Sequence, residues 1–523
     1  MKQAFIAILV IALGLSWLWF WTVLEAPDSG SGGDKQILAS DMVSVWINEL
    51  IGSPDEAHYY QLAGLWNASH PDVHIKMAVM SHSGYQSKLR VALATGQPPD
   101  VYLSGYADID TLQYSGKVSD LSVPIPEAFL PDAALEGMGP LVRRAITRDG
   151  RPTAFPIYRY AYGGVILANR GMLTAAGYDD AAVRENGWTV DAFRDACKRM
   201  TRDSDGDGNI DTWGFGAALI HVQQLFIDEF GPGIWGRDVS LRHFLYLEPP
   251  SQEWKLHPGL TEDKVAEVFA LFDHLLNIDK SWNPATLGMN WNEINEELIT
   301  RRTLGMTFGE SPWSAKLWRE TWEADHARGA TQGDEPPDLT VIWMPTRESG
   351  TWPAPRAGVL GFSVLKQIPY KGDAHTENAL RVAKFLSDPA HLARSQLRRF
   401  RHLPPDTRAF AQLFPELVPT DDPWVQFYTK VMESEIPVVE EPLSPGDPAT
   451  ARYAVLRLAI DRWFEKEGKG YIEQVIYHRL TPRDAAKQFM EGLRAAVTAA
   501  TQSLPDTEED SSRRDAETQR KES

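Results

Sequence analysis

The sequence predicts an α/β protein with at least two substantial lobes. Its 523 residues are too many for one compact domain, because a typical domain holds about 100 to 200 residues. From residue 42 onward, segments with strand-like alternation are separated by segments with helical periodicity. Strands separated by helices favour a mainly parallel sheet with helices packed on its faces.

The first elements are predicted as strand, helix and strand. Residues 42–47 are extended and residues 73–80 form the next strand, followed after a second helix by a short strand at 100–103. The first helix has an apolar face at i, i+3, i+4, i+7 spacing, and the second has an apolar stripe at i, i+4, i+8 spacing. These faces are Tyr59, Leu62, Ala63 and Trp66 in the first helix, and Tyr85, Leu89 and Leu93 in the second.

The later elements follow the same alternation. Thr189 is placed to cap a helix, and the sole cysteine, Cys197, lies on the inner face of that helix as a small buried hydrophobe. The clearest amphipathic helix has the apolar face Val265, Val268, Phe269, Phe272, Leu275 and Leu276. Strands are predicted at 304–308, 339–344 and 358–365, with a helix at 377–386. One cysteine excludes an intrachain disulfide and CxxC-type sites.

The N-terminus indicates where the chain resides. Residues 4–24 carry no charge and end in an aromatic cluster, and about 20 apolar residues span a bilayer. Lys2 precedes the segment and acidic residues follow it, which places everything after residue 25 outside the cytoplasm. The segment is thus a signal anchor or, alternatively, a long cleaved signal peptide. Residues 26–36 are predicted as a linker and 501–523 as a disordered tail.

The charge balance excludes some classes of partner. Lys and Arg total 52 against 71 Asp and Glu, which gives a net charge of −19. A nucleic-acid or anionic-membrane surface needs basic patches, so neither partner is expected. Tryptophan is abundant, with 18 copies, and part of this aromatic surface is a candidate for ligand contact.

Short motifs in a fixed order carry a family resemblance. They extend from about residue 42 to 500 and include the helix end and following strand at 65–73, the run Pro98-Pro99-Asp100, Gly187-Trp188-Thr189, Ser311-Pro312-Trp313 and the strand 358–362. In this order the chain resembles the family 1 extracellular solute-binding proteins of ATP-driven importers, the group of maltose and oligosaccharide receptors. It departs from that family in lacking a lipoprotein cysteine near residue 25.

The resemblance implies a two-lobed, periplasmic-binding-protein-like (type II) α/β fold with a hinge and an interlobe cleft. Lobe 1 would contain residues 37–157 and 310–410, and lobe 2 would contain 158–309 and 411–500. The implied function is that of a non-enzymatic, monomeric receptor, which captures a sugar or oligosaccharide and delivers it to ABC permease subunits. Ligand would favour the closed state because contacts to both lobes form only there.

Candidate ligand contacts are aromatic and polar residues where strands end or cross between the implied lobes. Aromatic rings suit the apolar faces of a sugar, and carboxylates suit its hydroxyl rim. Ligands of α/β proteins also bind at the carboxyl ends of parallel strands. The candidates are Trp46, Tyr106, Asp108, Tyr158, Tyr160, Trp235, Glu310, Trp313 and Tyr453. For each aromatic ring, packing in the core is the alternative.

An acidic loop matches part of a calcium-binding pattern. Oxygen-bearing side chains occupy positions 1, 3, 5 and 9, and glycine occupies position 6. The expected ligands are Asp203, Asp205, Asp207, Asn209 and Asp211. Position 12 is Gly214 in place of the bidentate glutamate. A weak structural Ca²⁺ site and a metal-free turn rich in Asx residues both remain open.

Two other functions remain as alternatives. A glycan-degrading enzyme outside the cytoplasm would need two carboxylates facing each other across a cleft, and no spacing in the sequence points to such a pair. A receptor for a solute other than a sugar is the second, because one fold serves many ligands.

Overall fold

The computed structural model describes most of residues 42–502. The longer segments outside the described part are 1–41, 106–121, 309–318, 392–426, 428–435, 438–447 and 503–523, with shorter gaps of one to five residues elsewhere. The predicted membrane segment 4–24, the linker 26–36 and nearly all of the tail therefore lie outside it. Among the described residues, no helix is both long and apolar enough to cross a membrane.

The strands alternate with helices as predicted. In chain order they are β1 (Met42–Asn48), β2 (His74–Met80), β3 (Val101–Gly105), β4 (Thr147–Arg148), β5 (Arg151–Pro152), β6 (Phe155–Tyr162), β7 (Val165–Asn169), β8 (Trp213–Phe215), β9 (Leu245–Glu248), β10 (Glu253–Leu256), β11 (Leu304–Phe308), β12 (Leu339–Trp343), β13 (Arg356–Val364) and β14 (Ile436–Pro437).

The α-helices cover both short connections and long amphipathic segments. They are α1 (Pro54–Ser69), α2 (His82–Ala94), α3 (Asp132–Gly137), α4 (Arg170–Ala175), α5 (Asp180–Asn186), α6 (Val190–Met200), α7 (Gly231–Trp235), α8 (Glu262–Asp273), α9 (Trp291–Ile299), α10 (Asp373–Leu386), α11 (Pro448–Trp463), α12 (Lys469–Ile476) and α13 (Pro482–Gln502). Short π-helices occur at Leu225–Phe230, His274–Ile278 and Phe464–Gly468, and a 3₁₀ helix at Pro284–Gly288.

Lobe 1 is built on a six-stranded sheet in the order β14-β13-β3-β1-β2, with β6 on the other edge of β13. Strand β1 alternates strictly, with Val43, Val45 and Ile47 buried. These side chains pack with α1 and α10 in one core, as the period of two in β1 predicts. The opposite face of the sheet is covered by a smaller cluster around Tyr85 of α2.

Lobe 2 is built on a four-stranded sheet in the order β12-β7-β11-β8. Strands β11 and β12 are buried along their whole length, because helices cover both faces. Its core joins α6 and α8 to α11, α12 and α13. The C-terminal helices thus pack in lobe 2, whereas β14, which also falls in the range 411–500 that the resemblance assigned to lobe 2, pairs with β13 in the lobe 1 sheet.

Two expectations about the strands are wrong. The sheets are mixed instead of mainly parallel. Strand β13 pairs antiparallel with β3 and with β6, and β7 pairs antiparallel with β11 and with β12. In addition, β12 lies in the range 310–410 that was assigned to lobe 1, yet it pairs with β7 of lobe 2 along its whole length. The lobe boundaries as a whole stay a prediction.

Local predictions from periodicity and capping are confirmed for several helices. The Thr189 hydroxyl accepts a hydrogen bond from the Ala192 backbone N–H at 3.1 Å and so caps α6. Cys197 is fully buried on that helix, and burial raises the pKa of its thiol. The helix predicted at 377–386 begins earlier, at Asp373.

Candidate functional site

A two-stranded ribbon joins the two sheets and fixes where a cleft can lie. Strand β6 ends at Tyr162 and β7 begins at Val165, so the chain changes sheets within a few residues. On the return path, Arg356 pairs with Tyr162 and Trp343 pairs with Val165. The Met344 N–H donates to the Gly164 carbonyl at 2.8 Å. These two passages between the lobes are therefore adjacent.

Tyr158 is aligned across the sheet with the carboxyl end of the parallel strand β3. Leu360 of β13 pairs on one side with Gly105, the last residue of β3, and on the other with Tyr158 of β6. Two strand spacings of about 4.8 Å separate the backbones of Gly105 and Tyr158. The Tyr158 ring is partly buried against the lobe 1 core, so its position fits a ligand edge, although the ring also packs.

Tyr160 follows on the same strand. Its backbone pairs with Gly358 of β13, which puts it closer to the passage into lobe 2 than Tyr158 is. Its side chain lies outside the described part of the chain. The role of Tyr160 as a ligand contact therefore stays a prediction.

Trp46 lies on the other face of the lobe 1 sheet from the buried residues of β1. Its ring is partly buried against the cluster formed by Met80, Tyr85, Leu89, Tyr102 and Leu365. The Tyr85 hydroxyl donates to the Trp46 carbonyl at 2.8 Å, which fixes the backbone of β1 against α2. Because Trp46 and Tyr158 pack against different clusters, the described structure does not bring them into one aromatic site.

Trp235 belongs to the lobe 2 core, and its expected role as a ligand platform is wrong. It is 1% exposed, and its ring centroid lies 5.3 Å from that of Phe226 and 5.4 Å from that of Phe244. Gly231–Trp235 forms the short helix α7, which turns the ring inward. Core packing, the alternative reading, applies here.

Tyr453 is also a core residue in lobe 2. It is 8% exposed on α11, and its ring centroid lies 4.8 Å from that of Trp254. The expectation that it contacts ligand is wrong for the same physical reason as for Trp235: an amphipathic helix buries its aromatic face against the core.

Four of the remaining candidates lie outside the described residues. These are Tyr106 and Asp108, which follow β3, and Glu310 and Trp313, which follow β11. Each comes within a few residues of a described strand end, so the strands bring the chain to the edges where ligands bind α/β proteins. Their roles stay predictions.

The acidic loop between α6 and β8 is closed by backbone pairing at its base. The Arg202 N–H donates to the Thr212 carbonyl at 2.9 Å, and the Asp211 N–H donates to the Arg202 carbonyl at 2.9 Å. Gly206 and Gly208 have φ of +76° and +92°, a region that glycine enters without steric cost. The sharp turn expected at position 6 is thus formed.

Three of the five predicted ligands meet inside this loop. Carboxylate oxygens of Asp203, Asp205 and Asp211 lie within 4.8 Å of one another. The Asp203 carboxylate accepts from the backbone N–H groups of Gly206 and Gly208 at 2.7 and 2.8 Å. These bonds, the one from Gly208 foremost, lower the pKa of Asp203. The loop therefore presents a cluster of anionic oxygens, which suits a hard cation.

Asp207 and Asn209 interact with each other in the same loop. The Asn209 side-chain amide donates to Asp207 Oδ2 at 2.9 Å, and the Asn209 backbone N–H donates to Asp207 Oδ1 at 2.7 Å. Hydrogen bonds from Asn209 lower the pKa of Asp207. This is the Asx-turn geometry of the metal-free alternative.

A buried ionic cluster in lobe 1 was missed by the sequence-based site prediction. Asp100, 2% exposed, accepts from both the backbone N–H and hydroxyl of Ser44, from Lys371 Nζ at 2.8 Å and from His375 Nε2 at 2.9 Å. Burial alone would raise the pKa of Asp100, but the hydrogen bonds from His375, Lys371 and Ser44 outweigh it and hold the pKa at about 2.

The Asp100 cluster ties three elements together. Ser44 belongs to β1, Asp100 directly precedes β3, and His375 lies in the first turn of α10. The sequence did contain one signal for this cluster, an aspartate directly before a buried strand. A carboxylate buried there requires hydrogen-bonding or charged partners. Those partners are far away along the chain, so only the fold identifies them.

Comparisons with known proteins give the family through a family model and the fold through solved structures. The family model for bacterial extracellular solute-binding protein matches residues 52–391. An uncharacterized lipoprotein from the oleD 5′ region of Streptomyces antibioticus is 30% identical over 95 residues, which are 18% of this chain and 21% of that protein. The chain thus matches only a small part of that relative's length.

Two solved structures resemble nearly the whole chain. The maltose/maltodextrin-binding domain MalE from Bdellovibrio bacteriovorus, bound to maltotriose, is 16% identical with a TM-score of 0.60, and the match covers 88% of this chain and 100% of that one. The GacH receptor of Streptomyces glaucescens, studied with acarbose, is 15% identical with a TM-score of 0.58, covering 87% and 98%. The likeness confirms the predicted two-lobed binding-protein fold.

Proposed function

The chain belongs to the family of bacterial extracellular solute-binding proteins, and we propose that it is the receptor of an ABC transporter for a sugar or oligosaccharide. It captures this ligand in the cleft between its lobes and delivers it to permease subunits in the membrane. The observation that carries the proposal is the family match together with two sheets joined by an adjacent pair of crossings. Such a joint lets two lobes close on a ligand.

The proposed ligand class rests on two supports. Two of the similar structures were determined in complex with maltotriose and with acarbose, which are carbohydrates. Within this chain, Trp46 and Tyr158 keep part of their rings accessible on lobe 1 strands, and such rings suit the apolar faces of sugars. A solute other than a sugar remains the alternative ligand, because the fold alone does not select one.

We propose a binding function without catalysis. The family is defined by solute binding, and the main alternative is an enzyme that degrades glycans. Such an enzyme needs two carboxylates about 5 to 9.5 Å apart on either side of a glycosidic bond. Prolonged incubation with maltotriose and chromatography of the products separates the two: the receptor leaves the trisaccharide intact, whereas release of maltose or glucose would establish the enzyme.

The proposed location is outside the cytoplasmic membrane, with the protein acting as a monomer. Residues 4–24 would anchor it through their uncharged length. Mass spectrometry of the mature N-terminus tests the anchor directly. A peptide beginning at Met1 or Lys2 supports retention, and a first residue after position 24 shows cleavage instead.

Calorimetric titration with maltotriose, followed by a panel of other carbohydrates, tests the ligand class. Trp46→Ala and Trp313→Ala are each expected to weaken binding about tenfold or more, since removal of one stacked ring costs on the order of 1 kcal/mol or more. Tyr477→Ala is the matched control, because this ring is 52% exposed at the end of α12. If no carbohydrate binds, or if both Trp variants bind like wild type, the sugar assignment is wrong.

A further inference from the structure

We propose that the loop of residues 366–371 in lobe 1 is a membrane-contact site, which lays an apolar tip flanked by lysines on the phospholipid surface that holds the N-terminal anchor. The inference rests on the anchor proposed above and adds a second point of attachment, on the folded part of the chain. The partner is a bilayer interface with anionic headgroups, and the ligand cleft takes no part in the contact.

The 366–371 loop presents apolar side chains to solvent. Ile368 is 46% and Tyr370 is 64% exposed, and Pro369 between them is exposed as well. A Cβ at Gly96, just after α2, would lie 3.7 Å from Ile368 Cγ2, so the tip of the loop lies against the end of that helix. Val91, in the last turn of α2, is 62% exposed. Lobe 1 thus carries exposed apolar surface here, including a tyrosine, a residue type enriched at membrane–water interfaces.

Hydrogen bonds hold the loop in this conformation. Gln367 Oε1 accepts from the Lys371 N–H at 2.9 Å, and Gln367 Nε2 donates to Thr376 Oγ1 at 3.0 Å. Lys371 Nζ also lies 2.8 Å from Oδ1 of the buried Asp100. Because the loop is already ordered by the fold, little conformational entropy is lost when its tip meets a surface.

Lysines accompany the apolar tip. Lys366 and Lys371 flank it in the sequence, Lys88 lies on α2, and all three are exposed. Lysine side chains reach headgroup phosphates while their stems lie along apolar surface. The acidic residues next along the chain are Asp373 and Glu377 at the start of α10. The net charge of −19 belongs to the whole chain, and it repels the acidic remainder from anionic lipid, so a tip that carries lysines is the face that approaches.

The chain that follows the predicted anchor enters lobe 1 at the same end of the sheet. Strand β1 begins at Met42 and pairs parallel with β3, which begins at Val101. Val364, the last residue of β13, also pairs with Val101. The 366–371 loop therefore follows at the amino ends of β1 and β3, and the bond from Lys371 to Asp100 holds it there.

The linker is short enough to keep this end of lobe 1 near the bilayer. Residues 25–41 separate the predicted anchor from β1, and a flexible chain of this length has a root-mean-square span of roughly 20–25 Å. The tip is thereby held at a high effective concentration relative to the headgroups. The candidate ligand edge lies at the carboxyl end of β3, about 15 Å away along the strand, so membrane contact and ligand binding use different surfaces.

Quenching by doxyl-labelled phospholipid tests the contact, with the full chain reconstituted in phosphatidylglycerol vesicles. A bimane fluorophore at Val91→Cys reports from the edge of the tip, and one at Ile278→Cys, 57% exposed in lobe 2, is the matched control. The sole native thiol, Cys197, is buried and stays unlabelled. Strong quenching is expected for the first label and little for the second.

Two substitutions in the Val91→Cys reporter identify the side chains that make the contact. Lys366→Gln should weaken lipid contact about fivefold, the factor expected for one lysine near an anionic surface, and salt of about 0.5 M should weaken it as well. Tyr370→Ser should have at least as large an effect, because it removes the most exposed part of the tip. Lys466→Gln removes one charge at an exposed position in lobe 2 and should leave the quenching unchanged.

The outcomes separate this inference from the proposals on which it rests. Protein that floats with the vesicles but is quenched equally at both labels overturns the membrane contact and leaves the anchor and the receptor function standing. Protein that does not float overturns the anchor and this inference with it. Emission from the Val91→Cys label that follows protein concentration instead of doxyl lipid shows a second copy of the chain on the tip, and it overturns the membrane contact too.

Discussion

The cores of lobe 1 and lobe 2 are packed with different types of side chain. The lobe 2 core is rich in rings, and Phe226 alone has its centroid within 6.0 Å of the centroids of Trp235, Phe269, Phe464 and Phe489. The central strands of lobe 1 contribute mainly Val, Ile and Leu to its core. The many aromatic residues of lobe 2 thus serve core packing, whereas some rings on the strands of lobe 1 are partly exposed.

The two lobes also differ in how they bury charge. In lobe 1, Asp100 is 2% exposed and joins β1, β3 and α10. In lobe 2, Asp180 pairs with Arg170 and Arg184 and accepts from the Thr340 hydroxyl at 2.6 Å. Both clusters tie a helix to a sheet, but the Asp100 cluster includes a buried histidine and is the one whose pKa is depressed to about 2.

The largest expected effect comes from removing a lobe 2 ring. Trp235→Ala should lower the free energy of unfolding by about 3–5 kcal/mol, because it leaves a cavity in a ring-packed core. Urea denaturation measures the loss. Trp46→Ala should cost less, since the Trp46 ring is only partly buried on lobe 1. Equal losses of unfolding free energy in the two variants would contradict the expected difference in packing between the two rings.

The next effect concerns the buried carboxylate of lobe 1. The depression of the Asp100 pKa from 3.8 to about 2 corresponds to roughly 2 kcal/mol of stability. Since the folded-state pKa is the lower one, this stability is present above pH 3.8 and is lost as the pH falls through about 2. Asp100→Asn should therefore destabilise the protein at pH 7 and progressively less between pH 4 and pH 2.

Unfolding of wild type and variant at pH 7, pH 3 and pH 2 measures that difference. Asp132→Asn, at an exposed position in lobe 1, is the control and should change stability little at either pH. A gap between wild type and Asp100→Asn that stays constant down to pH 2 would contradict the assigned role of the Asp100 cluster.

The smallest expected effect concerns the acidic loop of lobe 2, which has no counterpart among the described residues of lobe 1. We propose that it binds Ca²⁺ weakly. For a dissociation constant near 1 mM, about 5 mM Ca²⁺ would stabilise the fold by about 1 kcal/mol. Thermal unfolding with Ca²⁺ and with the same concentration of Mg²⁺ measures this shift, which Asp205→Asn should abolish and Asp388→Asn should not.

Identical melting temperatures with and without Ca²⁺ would favour the metal-free turn. The hydrogen bonds from Gly206 and Gly208 to Asp203 would then be sufficient to hold the loop. In that case the acidic loop is stabilised by its own hydrogen bonds, without a metal ion.

Local features were predictable because their causes lie close together in the sequence. The apolar spacing of Tyr59, Leu62 and Trp66 predicts α1, and all three side chains are buried. The cap at Thr189 needs only the amide of Ala192. The tight turn at Gly206 and Gly208 likewise follows from short-range chemistry. Periodicity, capping and glycine each act over a few residues, so one sequence is sufficient to read them.

The candidate site was predicted less well because ligand contact depends on exposure. Trp235 and Trp46 are the same residue type near predicted element ends, yet one is fully buried and the other is not. The difference arises from Phe226 and Phe244 around Trp235 and from the smaller cluster around Tyr85, which leaves Trp46 only partly buried. Neither environment is encoded in the neighbouring residues.

The sequence by itself determined the α/β alternation, the helix caps and, through motifs in order, the family of two-lobed solute-binding proteins. Only the tertiary structure decided that β12 pairs with β7, that Asp100 meets His375, and that Met344 bonds to Gly164 at the crossing. The physical reason is that these contacts join residues far apart along the chain. Local propensity ends within a few residues, and the fold alone selects which distant partners meet.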